Sequence, residues 1–297
     1  MRETSGRASS SFRRYRELFM LIDFHTHVFA EQIADRAKDA LIAGVYREQG
    51  PDYRRGEQLN FRELTVSALL DSMEKSGVDK SVCLHIATKP HQTAAINAFA
   101  AEAAAESGGR ILSFASIHPA DPDWKETLDG IKAAGFRGIK LHPQFQLLPI
   151  DGAEFRSIIA YAVGLGLFVM FHAGADIGLP PPYFASPKQI SRLLRSGIDG
   201  SRLIAAHMGG WQMWDDVERY LVGTDILFDT AFVRDFLPPE QALRIIRTHG
   251  AERVLFGSDS PWEDPADTLR FLQSIGLDDR ELALITHENA ERLLHLT

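Results

Sequence analysis

Eight short runs rich in β-branched and aromatic residues recur along this chain, with stretches of helical periodicity between them. Parallel βα units require this alternation, because a crossover helix must return each strand to the same end of the sheet. The runs are Leu21 to His27, Lys80 to Ile86, Ile111 to Ile117, Arg137 to Pro143, Leu167 to Ala173, Arg202 to Met208, Asp225 to Ala231 and Arg253 to Asp259. Apolar residues at three- and four-residue spacing fill intervals such as Thr93 to Glu106, Ala153 to Gly164 and Pro239 to Thr248. Successive runs start about one βα unit apart except after the first. There a charged, glycine-containing stretch, roughly Phe29 to Asn60, reads as a loop insertion, and Asp278 to Leu296 reads as a helical closure. The pattern predicts an α/β fold: a TIM (β/α)8 barrel in a single domain, with an insertion after strand 1. No Gly-x-Gly-x-x-Gly or phosphate-loop pattern follows any run, which argues against an open dinucleotide-binding sheet.

Active sites of such barrels lie at the carboxyl ends of the strands, so the chemistry is sought in the residues that end each run. Strand 1 ends Asp23-Phe24-His25-Thr26-His27, strand 4 Lys140-Leu141-His142-Pro143, strand 5 Phe171-His172-Ala173-Gly174, strand 6 Ala206-His207-Met208-Gly209-Gly210, and strand 8 Gly257-Ser258-Asp259-Ser260-Pro261. Alternating side chains put His25 and His27 on one face, a two-toothed claw for a cation. His172 and Asp259 would add ligands and leave room for water, the open arrangement of a catalytic zinc, with His207 beside that water. A lone histidine at a strand end is usually a hydrogen-bonded structural residue, and Asp259 before Ser260-Pro261 could simply set a turn. Burying several imidazoles together without a shared ligand would strand polar groups, so their coincidence favours a metal. His85 and His118 stand alone and read as structural.

The chain has 297 residues and a net charge of -8, which disfavours nucleic acid or an anionic membrane as the main partner and leaves a small-molecule substrate. The single cysteine, Cys83, allows no disulfide framework and fits a reducing cytosol. No apolar run reaches membrane-spanning length. Residues 1–19, with five arginines and no apolar core, read as a disordered arm ahead of a barrel over 20–297, and Met20 reads as the natural start.

Asp23-Phe24-His25-Thr26-His27, His172, Ala206-His207-Met208-Gly209-Gly210, Phe256-Gly257-Ser258-Asp259-Ser260-Pro261-Trp262 and Asn289-Ala290-Glu291-Arg292-Leu293-Leu294 resemble the amidohydrolase superfamily. Within it they resemble the amidohydrolase-related TIM-barrel branch that includes aminocarboxymuconate-semialdehyde decarboxylase. The resemblance runs from Leu21 to near the C-terminus. It implies a divalent metal, zinc first and one per chain, on His25, His27, His172 and Asp259, with His207 and Asp259 as catalytic groups. Lys140 and His142 stand where binuclear relatives bridge two ions, and serve either a second metal or the substrate. Arg234, Trp262 and Trp211 follow strand ends and are candidate substrate contacts, as is Phe145 for stacking. Relatives of this branch often form homodimers.

These residues predict a metal-dependent hydrolase that uses a metal-activated water to cleave a small amide, ester or lactone. The alternative is a metal-dependent, non-oxidative decarboxylase of a small aromatic or unsaturated acid. A second alternative is a non-catalytic metal-binding barrel.

Overall fold

The structure, a computed structural model, describes residues 20–53 and 63–296. The strands are β1 Ile22–Thr26, β2 Lys80–Leu84, β3 Ile111–Ser116, β4 Gly138–Leu141, β5 Phe168–Phe171, β6 Leu203–Ala205, β7 Leu227–Asp229 and β8 Val254–Leu255. Each falls within its expected run. All seven successive pairings are parallel and in chain order. Hydrogen bonds close the cylinder between β1 and the segment running on from β8: Phe24 donates to the Phe256 carbonyl at 2.7 Å, Asp259 to His25 at 2.8 Å and His27 to Ser260 at 2.8 Å. The expected (β/α)8 barrel is therefore the observed one. Periodicity in the sequence could suggest this closure but not establish it.

Alternation sorts the strand residues into two buried sets. Ile22, Phe24, Val82, Leu84, Phe114, Phe168, Met170, Ile204, Leu227 and Leu255 form the inner cluster, joined by Ala290, Leu293 and Leu294 of the C-terminal helix Asn289–Leu294. That helix plugs the barrel floor. Asn289 ties it down by donating to the carbonyls of Ala251 and Val254, both at 2.8 Å. The intervening positions, such as Cys83, Ile139, Val169 and Phe228, join the outer helices in a second cluster. No described helix is long and apolar enough to cross a membrane.

The insertion after β1 differs from the expected loop. Residues Glu31–Gln49 form a 19-residue helix with Ala34, Ile42, Gly44 and Val45 buried. The charges that suggested a loop cover the other face of this helix, and its buried residues recur at helical spacing. Gly44 lets the helix approach the loop after β5: a Cβ there would lie 3.0 Å from the Gly178 carbonyl oxygen. Residues 54–60 of the expected insertion, and the expected arm, 1–19, lie outside the described residues.

Candidate metal centre

A bulge in β1 orients the two histidines of the claw. Pairing with β2 runs Ile22 to Lys80 and Asp23 to Ser81, but then Thr26 to Cys83, so β1 holds one extra residue. Ile22 and Phe24 belong to the inner cluster. Unbroken alternation would therefore turn His25 and His27 outward, and the extra residue turns them back toward the mouth. Buried Asp23 fastens the bulge, accepting from the backbone N–H groups of His25 at 3.1 Å and Ser258 at 2.9 Å and from the Ser258 hydroxyl.

His207 and Asp259 also reach the mouth through unusual backbone. Both have left-handed φ, 60° and 68°, a conformation disfavoured for non-glycine residues that persists where surrounding contacts enforce it. Asp229 supplies part of that enforcement. Its Oδ1 accepts from the backbone N–H groups of His207 at 2.8 Å and Ala231 at 3.0 Å, while its Oδ2 lies 2.8 Å from His25 Nδ1.

The partners of each imidazole locate its proton. Nδ1 of His25 faces the Asp229 carboxylate, Nδ1 of His27 the Leu84 carbonyl at 2.9 Å, and Nδ1 of His207 the Ala231 carbonyl at 2.9 Å. Nε2 of His172 faces the Ala175 carbonyl at 2.8 Å. These oxygens accept, so the hydrogens sit on the outer nitrogens and the lone pairs point inward. His25 Nε2 lies 3.1 Å from His27 Nε2, and Asp259 Oδ1 lies 3.3 and 3.1 Å from them. His207 Nε2 stands 3.1 Å from His172 Nδ1. Acceptors at hydrogen-bonding distance with no hydrogen between them repel one another unless a cation holds them together. Metal-bound histidines characteristically carry such outer carboxylate or carbonyl partners, so these residues fit a divalent ion. His25, His207 and Asp259 also offer ligand atoms within 4.8 Å of one another.

A second set, His142, His172 and Asp176, meets the same distance limit. Its proton positions differ. His142 Nδ1 accepts from the Phe145 N–H at 3.3 Å, which places the hydrogen on Nε2, 3.5 Å from Asp176 Oδ2. With His172 Nε2 also protonated, this set joins donors to a carboxylate and does not need a cation.

Lys140 is 1% exposed and points its ammonium at His25 Nε2, 3.4 Å away. Burial pulls its pKa down to about 8, against the carboxylates of Asp229 and Asp259, so it keeps its charge at neutral pH. Burial drives His172 and His207 to about 4 and His25 and His142 well below the usual range. Burial pushes Asp259 up, while His25 and His27 would pull it below the usual carboxylate range only when one of them carries a second proton.

These shifts predict how stability depends on pH. Beyond the mouth, burial lowers His85 to about 3 and His249 to about 4. A histidine lowered on folding stays neutral in the native state, while the unfolded chain binds its proton below the ordinary 6.5. Stability is therefore full above that value and is lost as pH falls toward 4, by on the order of 1–2 kcal/mol per buried histidine at pH 5. Asp23 and Asp176, raised by burial to about 7 and 6, oppose the trend but are outnumbered. Urea midpoints of metal-free protein should drop from pH 7.5 to pH 5; a constant or rising midpoint contradicts this.

The structure brings His25, His27, His172, His207, Asp259 and Lys140 together, with His142 stacked on His172 at 4.4 Å. Arg234 is committed elsewhere. Its guanidinium lies 2.5 Å from Glu263, 3.0 Å from Asp235 and 3.4 Å from Asp267, an arrangement that ties loops rather than offering a free cation. Trp211 is buried against Phe236 and Phe232, at 5.0 and 6.2 Å between ring centroids, and Trp262 packs on the outer core. Phe145 packs on the His142 ring at 4.3 Å. Sequence reading missed Asp229 and Asp176. Asp229 ends β7 and was open to the same strand-end reasoning; Asp176 lies beyond a strand end, where only the loop path brings it back. Asp229→Asn should weaken divalent-metal affinity roughly 10- to 100-fold, measured by competition with a chelator; unchanged affinity would disconnect Asp229 from the centre.

An amidohydrolase family model matches residues 22–296. The chain belongs to the amidohydrolase family. No curated protein matches it. In fold this amidohydrolase-family barrel is similar to 2,6-dihydroxybenzoate decarboxylase from Rhizobium: TM-score 0.67 and 17% identity over 94% of this chain and 99% of the other. The 5-carboxyvanillate decarboxylase of Sphingomonas paucimobilis gives 0.67 and 16% over 94% and 100%. A dihydroxybenzoic acid decarboxylase from Polaromonas sp. JS666, with bound manganese and 2-nitroresorcinol as inhibitor, gives 0.67 and 16% over 94% and 98%. The likeness at this identity is one of fold. The hydrolase expectation is corrected here: all three of these barrels are decarboxylases, which favours the decarboxylase alternative over it. The residues that suggested a hydrolase, a metal claw with a facing histidine, are equally the equipment of a decarboxylase and could not separate the two.

Proposed function

We propose that this barrel is a metal-dependent, non-oxidative decarboxylase of a small aromatic or unsaturated carboxylic acid. One observation carries the reading: inward lone pairs of His25, His27, His172, His207 and Asp259 converge beside the buried ammonium of Lys140. A divalent ion bound there, one per chain and zinc or manganese by its mixed nitrogen and oxygen donors, supplies positive charge that holds the acid and withdraws electron density from it. Once the His25 lone pair is used for binding, Lys140 loses its acceptor and turns to the substrate carboxylate. His207 keeps its Nδ1 hydrogen on Ala231 and presents Nε2 to the substrate. When the carbon–carbon bond breaks, carbon dioxide leaves and the electron pair stays on the ring or vinyl carbon. His207 Nε2 takes a proton from solvent water, leaving hydroxide to the solvent, and delivers it to that carbon, so that the imidazole ends neutral again. Asp259, held as a carboxylate, stabilises the imidazolium that carries it.

The test is carbon dioxide release by protein supplied with manganese or zinc, over a panel that includes 2,6-dihydroxybenzoate and 5-carboxyvanillate. Release abolished by a chelator and restored by metal is expected. Absence of carbon dioxide from every acid, with the ion bound, contradicts the reading. Lys140→Met should raise KM for an active acid roughly 10- to 100-fold, the loss of a charged hydrogen bond, with a smaller change in kcat; an unchanged KM would remove Lys140 from carboxylate binding.

A further inference from the structure

Beyond β6 the chain passes through three left-handed residues in succession: His207 at φ 60°, Met208 at 54° and Gly209 at 84°. Only the third is a glycine, so the first two conformations are costly and persist where neighbouring groups impose them. On the amide side the neighbour is Asp229, whose Oδ1 accepts the His207 N–H at 2.8 Å and whose carbonyl accepts the Met208 N–H at 2.7 Å. On the carbonyl side it is Trp214. Its indole Nε1 donates to the His207 carbonyl at 3.1 Å, and the other bond to that oxygen, from the Gly210 N–H, is longer at 3.3 Å.

Trp214 opens the helix Trp214–Tyr220 and is 7% exposed. An indole has one donor and no acceptor, so a buried one is aimed at an oxygen, and here that oxygen belongs to the residue read above as the proton carrier. The bond closes residues 207–214 into a ring, inside which Met213 donates to the Gly210 carbonyl at 2.9 Å. The far side of this loop is fixed separately, by the bonds of Trp211 to Ala173 and Ala175. Without the indole N–H, the His207 carbonyl keeps only its longer bond, and the peptide that aims the imidazole loses its restraint on that side. Proton transfer is sensitive to such a change, because donor and acceptor must meet at hydrogen-bonding distance and a displacement of about 1 Å can cost about 10²-fold in rate.

We propose that Trp214 is a positioning residue for His207: its indole N–H holds the His207 peptide in the left-handed conformation that presents Nε2 to the substrate. This rests on the reading of His207 as proton carrier and adds a residue outside the side chains that converge on the ion.

Two replacements remove the N–H: Trp214→Phe, and substitution of Trp214 by benzothienylalanine, which keeps the size of the indole with sulfur in place of N–H and so guards against a failure to fold. With manganese-loaded protein and an acid turned over in the panel above, kcat should fall roughly 10-fold in both, with KM and bound manganese within about twofold of wild type. Combined with His207→Ala, the same replacements should lower the residual rate by less than about twofold further, because the group they position is gone. Hydrogen–deuterium exchange of segment 203–213 should quicken roughly 2- to 10-fold, the share of one hydrogen bond. An unchanged kcat in the benzothienylalanine protein overturns the proposal. So does a fall matched by loss of manganese, or an equal fall with and without His207. Faster exchange in a protein that releases no carbon dioxide from any acid defeats the decarboxylase reading and leaves the hold on His207 standing; unchanged exchange in that protein overturns both.

Discussion

His25→Ala should lower divalent-metal affinity roughly a hundred- to a thousandfold, the share of one ligand in a metal-binding free energy of some 10–16 kcal/mol, and should abolish turnover. His25 is singled out because its Nε2 touches His27, Asp259 and Lys140, while its Nδ1 is clamped by Asp229. His207→Ala should behave differently: the ion stays and kcat falls by roughly 10² to 10⁴, the loss of a positioned acid–base group. Elemental analysis of both variants alongside kinetics separates these outcomes. Equal loss of metal from the two would make His207 a ligand rather than the proton carrier, which its proximity to His25 and Asp259 makes a real alternative.

Gly174→Ala should be the most destabilising single methyl in the barrel mouth. The residue has φ +88°, and an added Cβ would lie 2.3 Å from the Trp211 nitrogen and 2.5 Å from both the Gly210 carbonyl carbon and the Trp211 oxygen. All three obstacles are backbone, so no rotamer change relieves them. They belong to the zip that joins the loops after β5 and β6, where Trp211 donates to Ala173 at 2.9 Å and Ala175 to Trp211 at 3.0 Å. Backbone strain and overpacking together should cost about 3–5 kcal/mol, a fall in Tm of roughly 8–16 °C for a chain of this size. Because His172 and His207 stand on these two loops, metal affinity should fall as well. A variant with native Tm and native metal content would show that the two loops are not held as described.

The fold was legible because it depends on period and order. Every strand lies inside an expected run, since burial on both faces forces near-continuous apolar runs that no surface loop imitates. The insertion helix Glu31–Gln49 was misread because only Ala34, Ile42, Gly44 and Val45 are buried, too few to stand out among its charges. At the centre, side chains on strand ends could be found from their positions alone. What could not be read was how they are aimed. The β1 bulge that turns His25 and His27 inward adds one residue with no distinct sequence signature, and the left-handed φ of His207 and Asp259 comes from tertiary contacts such as those of Asp229. Arg234 shows the reverse error: a cation after a strand end suggests an anion-binding role, yet Glu263, Asp235 and Asp267 surround it. Whether a charged residue is free or already paired is a property of the folded chain.

The most direct measurement is an anomalous-difference map from a crystal grown with manganese or zinc, recorded at the absorption edge of that metal. Inward lone pairs predict one strong peak at bonding distance, about 2.0–2.3 Å, from Nε2 of His25 and of His27, from Nδ1 of His172 and from the Asp259 carboxylate, with His142 and Asp176 uncoordinated. A map with no peak among these side chains, or with the ion seated only on His142 and Asp176, would contradict it.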